Sequence, residues 1–280
     1  MTKTDLTIII VAYKSEENIE ECLESINQKF KIIIIENSQN YEFKKYIEKK
    51  FTNVQCIIAH KNLGYSRGNN LALKKVKTQY SLILNPDTVL EKNALINFFI
   101  FLEKKIDFAI LGPSTLNQKL DNSTDLNSNF YEVDTVKGHA MFLNMEKIKK
   151  VGFFDENFFL YFEEIDLCKR IKKNNEKIYI DDSVKIKHYG GQSINKIYNF
   201  EIELTRNWHW MWSTFYYNKK NKSFLPALIL ILPKFIRALL KTLFYTLILN
   251  KKLRLIYFYR LCGILNSILG RPSWYRPNIL

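Results

Sequence analysis

The chain has 280 residues, of which 47% are hydrophobic and 25% charged, so it can form one large domain, or one domain with a sizeable extension, and disorder is not expected. The net charge of +14 is uneven: residues 201–280 hold 13 Lys and Arg against two Asp and Glu, whereas the first 200 residues hold 29 against 26. A basic, apolar C-terminal region suits an anionic membrane surface, and its apolar content argues against nucleic acid. The four cysteines form no Cys-x-x-Cys pair, which argues against a disulfide framework or a thiolate zinc site.

The N-terminal half alternates apolar, β-branched runs with helical periodicity. Strands are predicted at residues 6–12, 31–35, 54–59, 80–84 and 108–111. Helices are predicted after the first four strands, with Ser15 as a candidate N-cap of the first helix. This alternation indicates an α/β fold with a largely parallel sheet. Because the first run is a strand rather than a signal core, we expect a cytoplasmic start.

Gly64 is the first glycine of the chain, which excludes an early dinucleotide fingerprint or Walker loop. It stands with Arg67 and Gly68 at the predicted start of a helix. This arrangement could place backbone donors and a guanidinium near a diphosphate. It is equally compatible with a glycine-bearing turn whose arginine faces solvent.

Asp87 follows the strand predicted at residues 80–84. Asn85 and Pro86 should end that strand, because the residue before proline avoids helix and proline cannot donate to a sheet. Ligands of open α/β sheets bind beyond the carboxyl ends of strands, so Asp87 is well placed for a ligand or its metal. The same residues also form turns for purely local reasons.

The segment at residues 113–134 is polar and predicts an irregular excursion. Residues 136–144 predict a strand in which Gly138 would let a ligand approach the backbone, and a helix is predicted at 145–151. After a strand at 177–180, His188 precedes two glycines. Such a histidine can bind a metal or phosphate, although a lone histidine is more often structural.

Three acids are predicted in the first turn of a helix that begins near residue 163. They are Glu163, Glu164 and Asp166. The helix dipole stabilises carboxylates there, which explains the acids without any catalytic role.

Residues 224–249 are apolar apart from Lys234, Arg237 and Lys241, which share one helical face. Pro233 is expected in the first turn of that helix. An apolar helix with a cationic stripe is typical of one lying in a membrane interface. Docking on another part of the protein or on a second subunit, and a true membrane span, are the alternatives.

Taken together, these motifs resemble those of inverting family 2 glycosyltransferases of GT-A fold, in the bacterial rhamnosyltransferase-like branch, over about residues 5–215. The matching elements, in order, are Val11–Ala12–Tyr13, Glu36–Asn37–Ser38, residues 62–70, Asn85–Pro86–Asp87, Gly138–His139–Ala140, residues 154–170 and residues 188–193.

The resemblance implies a nucleotide-sugar site and a divalent cation, Mg²⁺ or Mn²⁺. Residues expected to contact the donor nucleotide are Ala12, Tyr13, Glu36, Asn37, Asn62, Gly64, Arg67 and Asn85. Asp87 resembles the last residue of the family's Asp-x-Asp-type motif, and His188 the residue that completes the metal or diphosphate contacts. Since Asn85 occupies the first motif position, Asp87 is that motif's one carboxylate.

The resemblance also implies a general base. The family's acidic pair is here Glu163–Glu164, so Glu164 is expected to be the base, one methylene longer than the usual aspartate, with Glu163 and Asp166 as contenders. Contacts to the acceptor or donor sugar are expected from Gly138, His139, Glu163 and Arg206.

The domains expected are a catalytic domain at residues 1–200, with a nucleotide-sugar half at about 1–112 and an acceptor half at 113–200, and a helical membrane-associating region at 201–280. Expected partners are a nucleoside-diphosphate sugar, a saccharide or lipid-linked acceptor and the anionic inner face of the cell membrane, and a homodimer is left open. A pyrophosphorylase would need an N-terminal glycine-rich loop, which is missing. A catalytically inactive sugar-nucleotide or membrane-binding module is the alternative raised by Asn85 and Glu164.

Overall fold

The computed structural model describes residues 5–115, 129–190, 196–277 and 279. The strands in these ranges are β1 (Leu6–Ala12), β2 (Lys31–Glu36), β3 (Val54–Ile58), β4 (Tyr80–Leu84), β5 (Thr88–Leu90), β6 (Ile110–Thr115), β7 (Phe130–Glu132), β8 (Ala140–Asn144) and β9 (Ile178–His188). The α-helices are α1 (Ile19–Glu24), α2 (Tyr41–Lys50), α3 (Gly64–Leu73), α4 (Ala94–Glu103), α5 (Met145–Val151), α6 (Glu163–Lys173), α7 (Asn199–Lys222), α8 (Phe224–Leu247) and α9 (Lys251–Ile268).

The strands form one mixed sheet in the order β3-β2-β1-β4-β8-β6-β9-β5, and β7 pairs with β9. The first four strands of this order are parallel, whereas β8 runs antiparallel to both β4 and β6. Parallel pairing brings the carboxyl ends of β1, β2 and β4 to one edge of the sheet. The predicted α/β class is confirmed.

Contacts divide the chain into two compact units, and the first contains the sheet. It comprises Met1–Leu63, Arg67–Phe154 and Glu164–Asn195. Its core consists of β-branched strand residues and the aromatic face of α4, where the rings of Phe98 and Phe142 stack with centroids 3.9 Å apart. The near-continuous apolar runs of β1 and β2 are buried on both faces, as expected of central parallel strands.

The second unit contains α7, α8 and α9, with Gly64–Ser66 and Asp155–Glu163. Helices α7 and α9 approach closely at Gly263. A Cβ placed on this residue would lie 2.2 Å from the carbonyl oxygen of Trp208. Within the described ranges, no helix is long and apolar enough to cross a membrane. The division into a catalytic domain at residues 1–200 and a membrane-associating region at residues 201–280 stays a prediction.

Several predicted boundaries are wrong for local reasons. Ser15 is not the N-cap of α1, because that helix begins at Ile19 and the Ser15 hydroxyl instead pairs with the backbone of Tyr13. The strand predicted from residue 136 begins at Ala140, so Gly138 lies in the preceding turn. Pro233 is inside α8 rather than in its first turn.

Short strands were missed. β5 follows the Asn85 turn directly, and β7 lies in the stretch predicted to be irregular, of which residues 116–128 are outside the described ranges. The strand predicted at residues 177–180 continues to His188 as β9. This extension carries His188 to the sheet edge that holds Asp87, because Thr88 pairs with His188.

Candidate active site

The turn after β4 is fixed by backbone hydrogen bonds. The amide of Asn85 donates to the carbonyl of His139 (2.9 Å), and the amide of Thr88 donates to the carbonyl of Asn85 (3.2 Å). The amide of Tyr189 donates to the carbonyl of Asp87 (3.1 Å). Asp87 is thereby held between the end of β4 and the end of β9, with only 2% of its surface exposed.

The side chains of Asp87 and His188 meet at this edge. Nε2 of His188 lies 3.5 Å from Oδ1 of Asp87, and His188 remains 26% exposed at its side chain. The ring of His139 stacks on that of His188, with centroids 4.3 Å apart and planes 7° from parallel. Burial, with the charges of His188 and Lys137 nearby, lowers the pKa of His139 to about 4, so its ring is uncharged at neutral pH.

Glu164 opens onto a cavity of about 190 Å³ within the first unit. Burial raises the pKa of its carboxyl above the usual range. Its neighbours around the cavity are Gly112, Pro113, Thr135, Val136, Lys137, His139, Ala140, Ile165 and Ile180. His139 thus contacts His188 and also shares a cavity with Glu164, which brings three of the predicted site residues together.

The other two acids of α6 are placed differently. Asp166 is buried and its Oδ2 accepts a hydrogen bond from Nε of Arg170 (2.9 Å). The same guanidinium donates to the carbonyls of Val151, Gly152 and Phe153. Arg170 therefore fastens α6 to the end of α5 and the residues after it, and Asp166 holds the guanidinium from the same helix. Glu163 is buried and belongs to the second unit.

Four of the predicted nucleotide residues lie at the carboxyl ends of β1 and β2: Ala12, Tyr13, Glu36 and Asn37. The amide of Asn37 donates to the carbonyl of Ala12 (2.8 Å), and its Oδ1 accepts from the amide of Leu63 (3.3 Å). The carboxylate of Glu36 accepts from the amides of Ser38 and Asn40, both at 2.8 Å. Glu36 therefore orders the loop that borders this edge.

Tyr13 and Asn62 are half-buried after β1 and β3, respectively, and Arg67 is exposed on α3. Because α3 begins at Gly64, Arg67 is inside the helix rather than before it. Gly64, of the second unit, has φ +73°, and a Cβ there would lie 2.4 Å from Phe159. Packing against Phe159 is sufficient to require glycine at this position.

Lys137 was missed as a cavity residue, although it stands directly before the Gly138–His139 pair that the sequence singles out. Arg206 is half-buried on α7 in the second unit. Of the motif at residues 188–193, positions 191–193 lie outside the described residues.

The part of the chain that the structure describes contains no cluster of three or more His, Cys, Asp or Glu side chains able to hold a metal ion. Asp87 and His188 supply an oxygen and a nitrogen, a donor pair that Mg²⁺ and Mn²⁺ accept when other oxygens complete the coordination.

A second cavity, of about 240 Å³, adjoins Asp87. Its other lining residues are Asn18, Glu21, Val89 and Tyr189.

Comparison with known proteins identifies the family of the chain. The family model "Glycosyl transferase family 2" matches residues 7–166, which include β1, Asp87 and Glu164. The chain belongs to glycosyl transferase family 2. The match covers more than half of the chain and confirms the resemblance inferred from the motifs.

Proteins with similar sequences include a low-salt glycan biosynthesis hexosyltransferase, Agl10 of Haloferax volcanii, which is 27% identical over 62% of this chain and 64% of its own length. Rhamnosyltransferase WbbL of Escherichia coli K12 is 24% identical over 75% of this chain and 91% of its own length. The chain thus spans slightly less than two thirds of Agl10.

Solved structures share the fold at low identity. Mannosyltransferase PcManGT from Pyrobaculum calidifontis, in complex with GDP-Man and Mn²⁺, has a TM-score of 0.60 and 11% identity, over 96% of this chain and 88% of its own. S. aureus TarS 1-349, in complex with UDP-GlcNAc, has a TM-score of 0.55 and 16% identity, over 98% and 93%.

Proposed function

We propose that the protein is an inverting glycosyltransferase that moves a sugar from a nucleoside-diphosphate donor to a hydroxyl group of a saccharide or lipid-linked saccharide. The observation that carries this proposal is the pairing of Asp87 with His188 at the carboxyl edge of the sheet, with His139 linking that pair to the cavity of Glu164. In open α/β sheets this edge is where ligands bind.

Asp87 and His188 would hold the divalent cation. Two protein ligands leave most coordination positions to the donor diphosphate and water, so cation affinity should depend strongly on bound nucleotide. When bound, Mg²⁺ or Mn²⁺ supplies positive charge next to the leaving diphosphate. The mannosyltransferase structure, obtained in complex with GDP-Man and Mn²⁺, supports this part of the proposal.

Glu164 is the proposed general base. Its carboxylate accepts the proton of the acceptor hydroxyl while the acceptor oxygen bonds to the anomeric carbon, and the bond from that carbon to the diphosphate oxygen breaks. The nucleoside diphosphate leaves with the electron pair of that bond. Attack from the face opposite the leaving group inverts the anomeric configuration. A carboxyl group with a raised pKa is a stronger base once ionised.

The relatives suggest the substrate class. One is named a hexosyltransferase and another a rhamnosyltransferase, while a teichoic acid poly(glycerol phosphate) polymerase of Staphylococcus epidermidis is 34% identical over 35% of this chain and 14% of its own length. We therefore propose a hexose or deoxyhexose donor, such as a rhamnose donor, in the synthesis of a cell-surface polysaccharide.

We also propose that the protein works at the cytoplasmic face of an anionic membrane, attached through α8. Large aliphatic residues at helical spacing form the outer face of α8, and each is between 46% and 82% exposed: Leu225, Ile229, Leu232, Ile236, Leu240, Leu243 and Leu247. Helical geometry puts Lys234, Arg237 and Lys241 between this face and the buried side of α8. An exposed aliphatic face with cations on the same helix fits the interface of an anionic bilayer.

Thermal unfolding of the full chain with dTDP-rhamnose, UDP-sugars and GDP-sugars, with and without Mn²⁺, tests the donor site. One donor should raise the unfolding temperature, because a ligand at 100 times its Kd adds about 2.7 kcal/mol of stability. The increase should be larger with Mn²⁺ than without it, because the proposed cation site binds the donor diphosphate through the cation. Slow hydrolysis of that donor would show turnover. Stabilisation without hydrolysis or transfer would favour the inactive binding module, and no stabilisation by any donor would contradict the proposal.

A further inference from the structure

His139 contacts both halves of the proposed cation site. Its carbonyl accepts the amide of Asn85 (2.9 Å), the first residue of the Asn85–Pro86–Asp87 turn. Its ring covers one face of His188 in a parallel stack, with centroids 4.3 Å apart. His139 is 8% exposed, and the pairing of Leu84 with Ala140 fixes its backbone beside the end of β4.

This arrangement limits how His188 can move. A histidine ligand is directional, since its Nε2 lone pair lies in the ring plane, so rotation of the ring moves the lone pair away from a cation. A buried ring stacked on His188 removes much of that freedom. The side chain of His188 is itself partly exposed and would otherwise have solvent on that face.

We infer that His139 is a positioning residue of the cation site, which holds the His188 ring in the plane that directs Nε2 towards Asp87. This inference rests on the proposed function and deepens it. The sequence alone associated His139 with the sugar, whereas the stack assigns its ring to His188. A planar ring of similar size should therefore replace His139, and a small side chain should not.

Binding of Mn²⁺ to the full chain, measured by electron paramagnetic resonance in the presence of UDP, GDP or dTDP, tests this inference. We expect His139→Ala to weaken Mn²⁺ binding about 10- to 100-fold, as is typical when a residue supporting a metal ligand is lost. His139→Phe should retain most of the affinity because it keeps a stacked ring. Met141→Ala, which truncates a buried residue of β8 two positions after His139, should leave the affinity unchanged.

Two results would overturn the inference: wild-type affinity in His139→Ala, or an equal loss in His139→Phe. Thermal unfolding of each variant separates lost affinity from lost folding. Asp87→Asn separates this inference from the proposed function. If Asp87→Asn abolishes binding and His139→Ala does not, only the positioning role fails. If the wild-type chain binds no Mn²⁺ with any of the three nucleotides, the cation site and the positioning role fail together.

Discussion

Nε2 of His188 lies 3.5 Å from Oδ1 of Asp87, because Asp87 directly precedes β5, His188 ends β9 and these two strands pair. This pair brings together a carboxylate that is almost fully buried and an imidazole that remains partly accessible. A site with one buried carboxylate and one accessible imidazole is suited to a cation that binds together with its nucleotide.

Asp87→Asn should remove the Mn²⁺-dependent part of donor binding and lower transfer about 10²- to 10³-fold, because charge on the leaving diphosphate is no longer offset. The measurement is the gain in unfolding temperature with donor, with and without Mn²⁺. Asp107→Asn is the control, since it removes a carboxylate of the same unit that is exposed beside Lys147. Unchanged metal dependence in Asp87→Asn would contradict the assignment.

Glu164→Gln should lower transfer about 10²- to 10⁴-fold and leave nucleotide binding intact, since a positioned base contributes a factor of this size. Glu163→Gln and Asp166→Asn are the matched comparisons. If either loses as much transfer as Glu164→Gln at equal stability, the base is assigned to the wrong carboxylate.

The pH dependence of transfer offers an independent test of Glu164. Its raised pKa means that the carboxyl stays protonated, and inactive as a base, to a higher pH than an ordinary glutamate. Activity should therefore rise with pH through a midpoint above the ordinary glutamate pKa of about 4.3. A plateau that extends down to that value would exclude Glu164 as the base.

Replacing Ile236 and Leu240 of the outer α8 face with glutamine should reduce sedimentation with phosphatidylglycerol vesicles more than tenfold, because burying each side chain contributes about 1.5–3 kcal/mol. Both residues are exposed, so the fold should tolerate the change. Tyr41→Gln, at an exposed aromatic residue of α2, is the control. Equal sedimentation of the wild-type protein, the variant with both α8 replacements and Tyr41→Gln would show that α8 does not contact lipid.

Arg170→Met should lower the free energy of unfolding by about 3–5 kcal/mol, because it leaves the buried Asp166 carboxylate without its cation. Adding Asp166→Asn should restore part of the loss, since the uncompensated charge is then gone. Urea denaturation of the three variants measures this coupling. A double variant whose loss equals the sum of the two single losses would show that the pair is not coupled.

The sequence predicted those parts of the candidate site that depend on the end of a single strand or the start of a single helix. The apolar run of β4 and the stop at Pro86 placed Asp87 beyond a parallel strand, and the helix predicted from about residue 163 placed Glu164 in its first turn. Both predictions depend on local pattern, which is the signal that a single sequence carries most clearly.

The stack of His139 on His188 could not be predicted in this way. It depends on two antiparallel pairings, β4 with β8 and β5 with β9, and β5 has only three residues. A run this short has no recognisable alternation. The contact of Gly64 with Phe159 could not be predicted either, because the two residues are distant in sequence.

The contact of Gly263 with Trp208 determines how the C-terminal half can be shortened. A chain that ended at Ser223 would keep α7 but lose α9 and Tyr275, whose ring lies 5.9 Å from that of Trp208. Trp208 is 1% exposed in the intact chain, so its indole would become solvent-accessible and the shortened protein should aggregate. Such a fragment would therefore pellet without lipid, and its sedimentation would not measure membrane binding. Substitutions on the outer face of α8 do measure it, because they leave the packing of Trp208 in place.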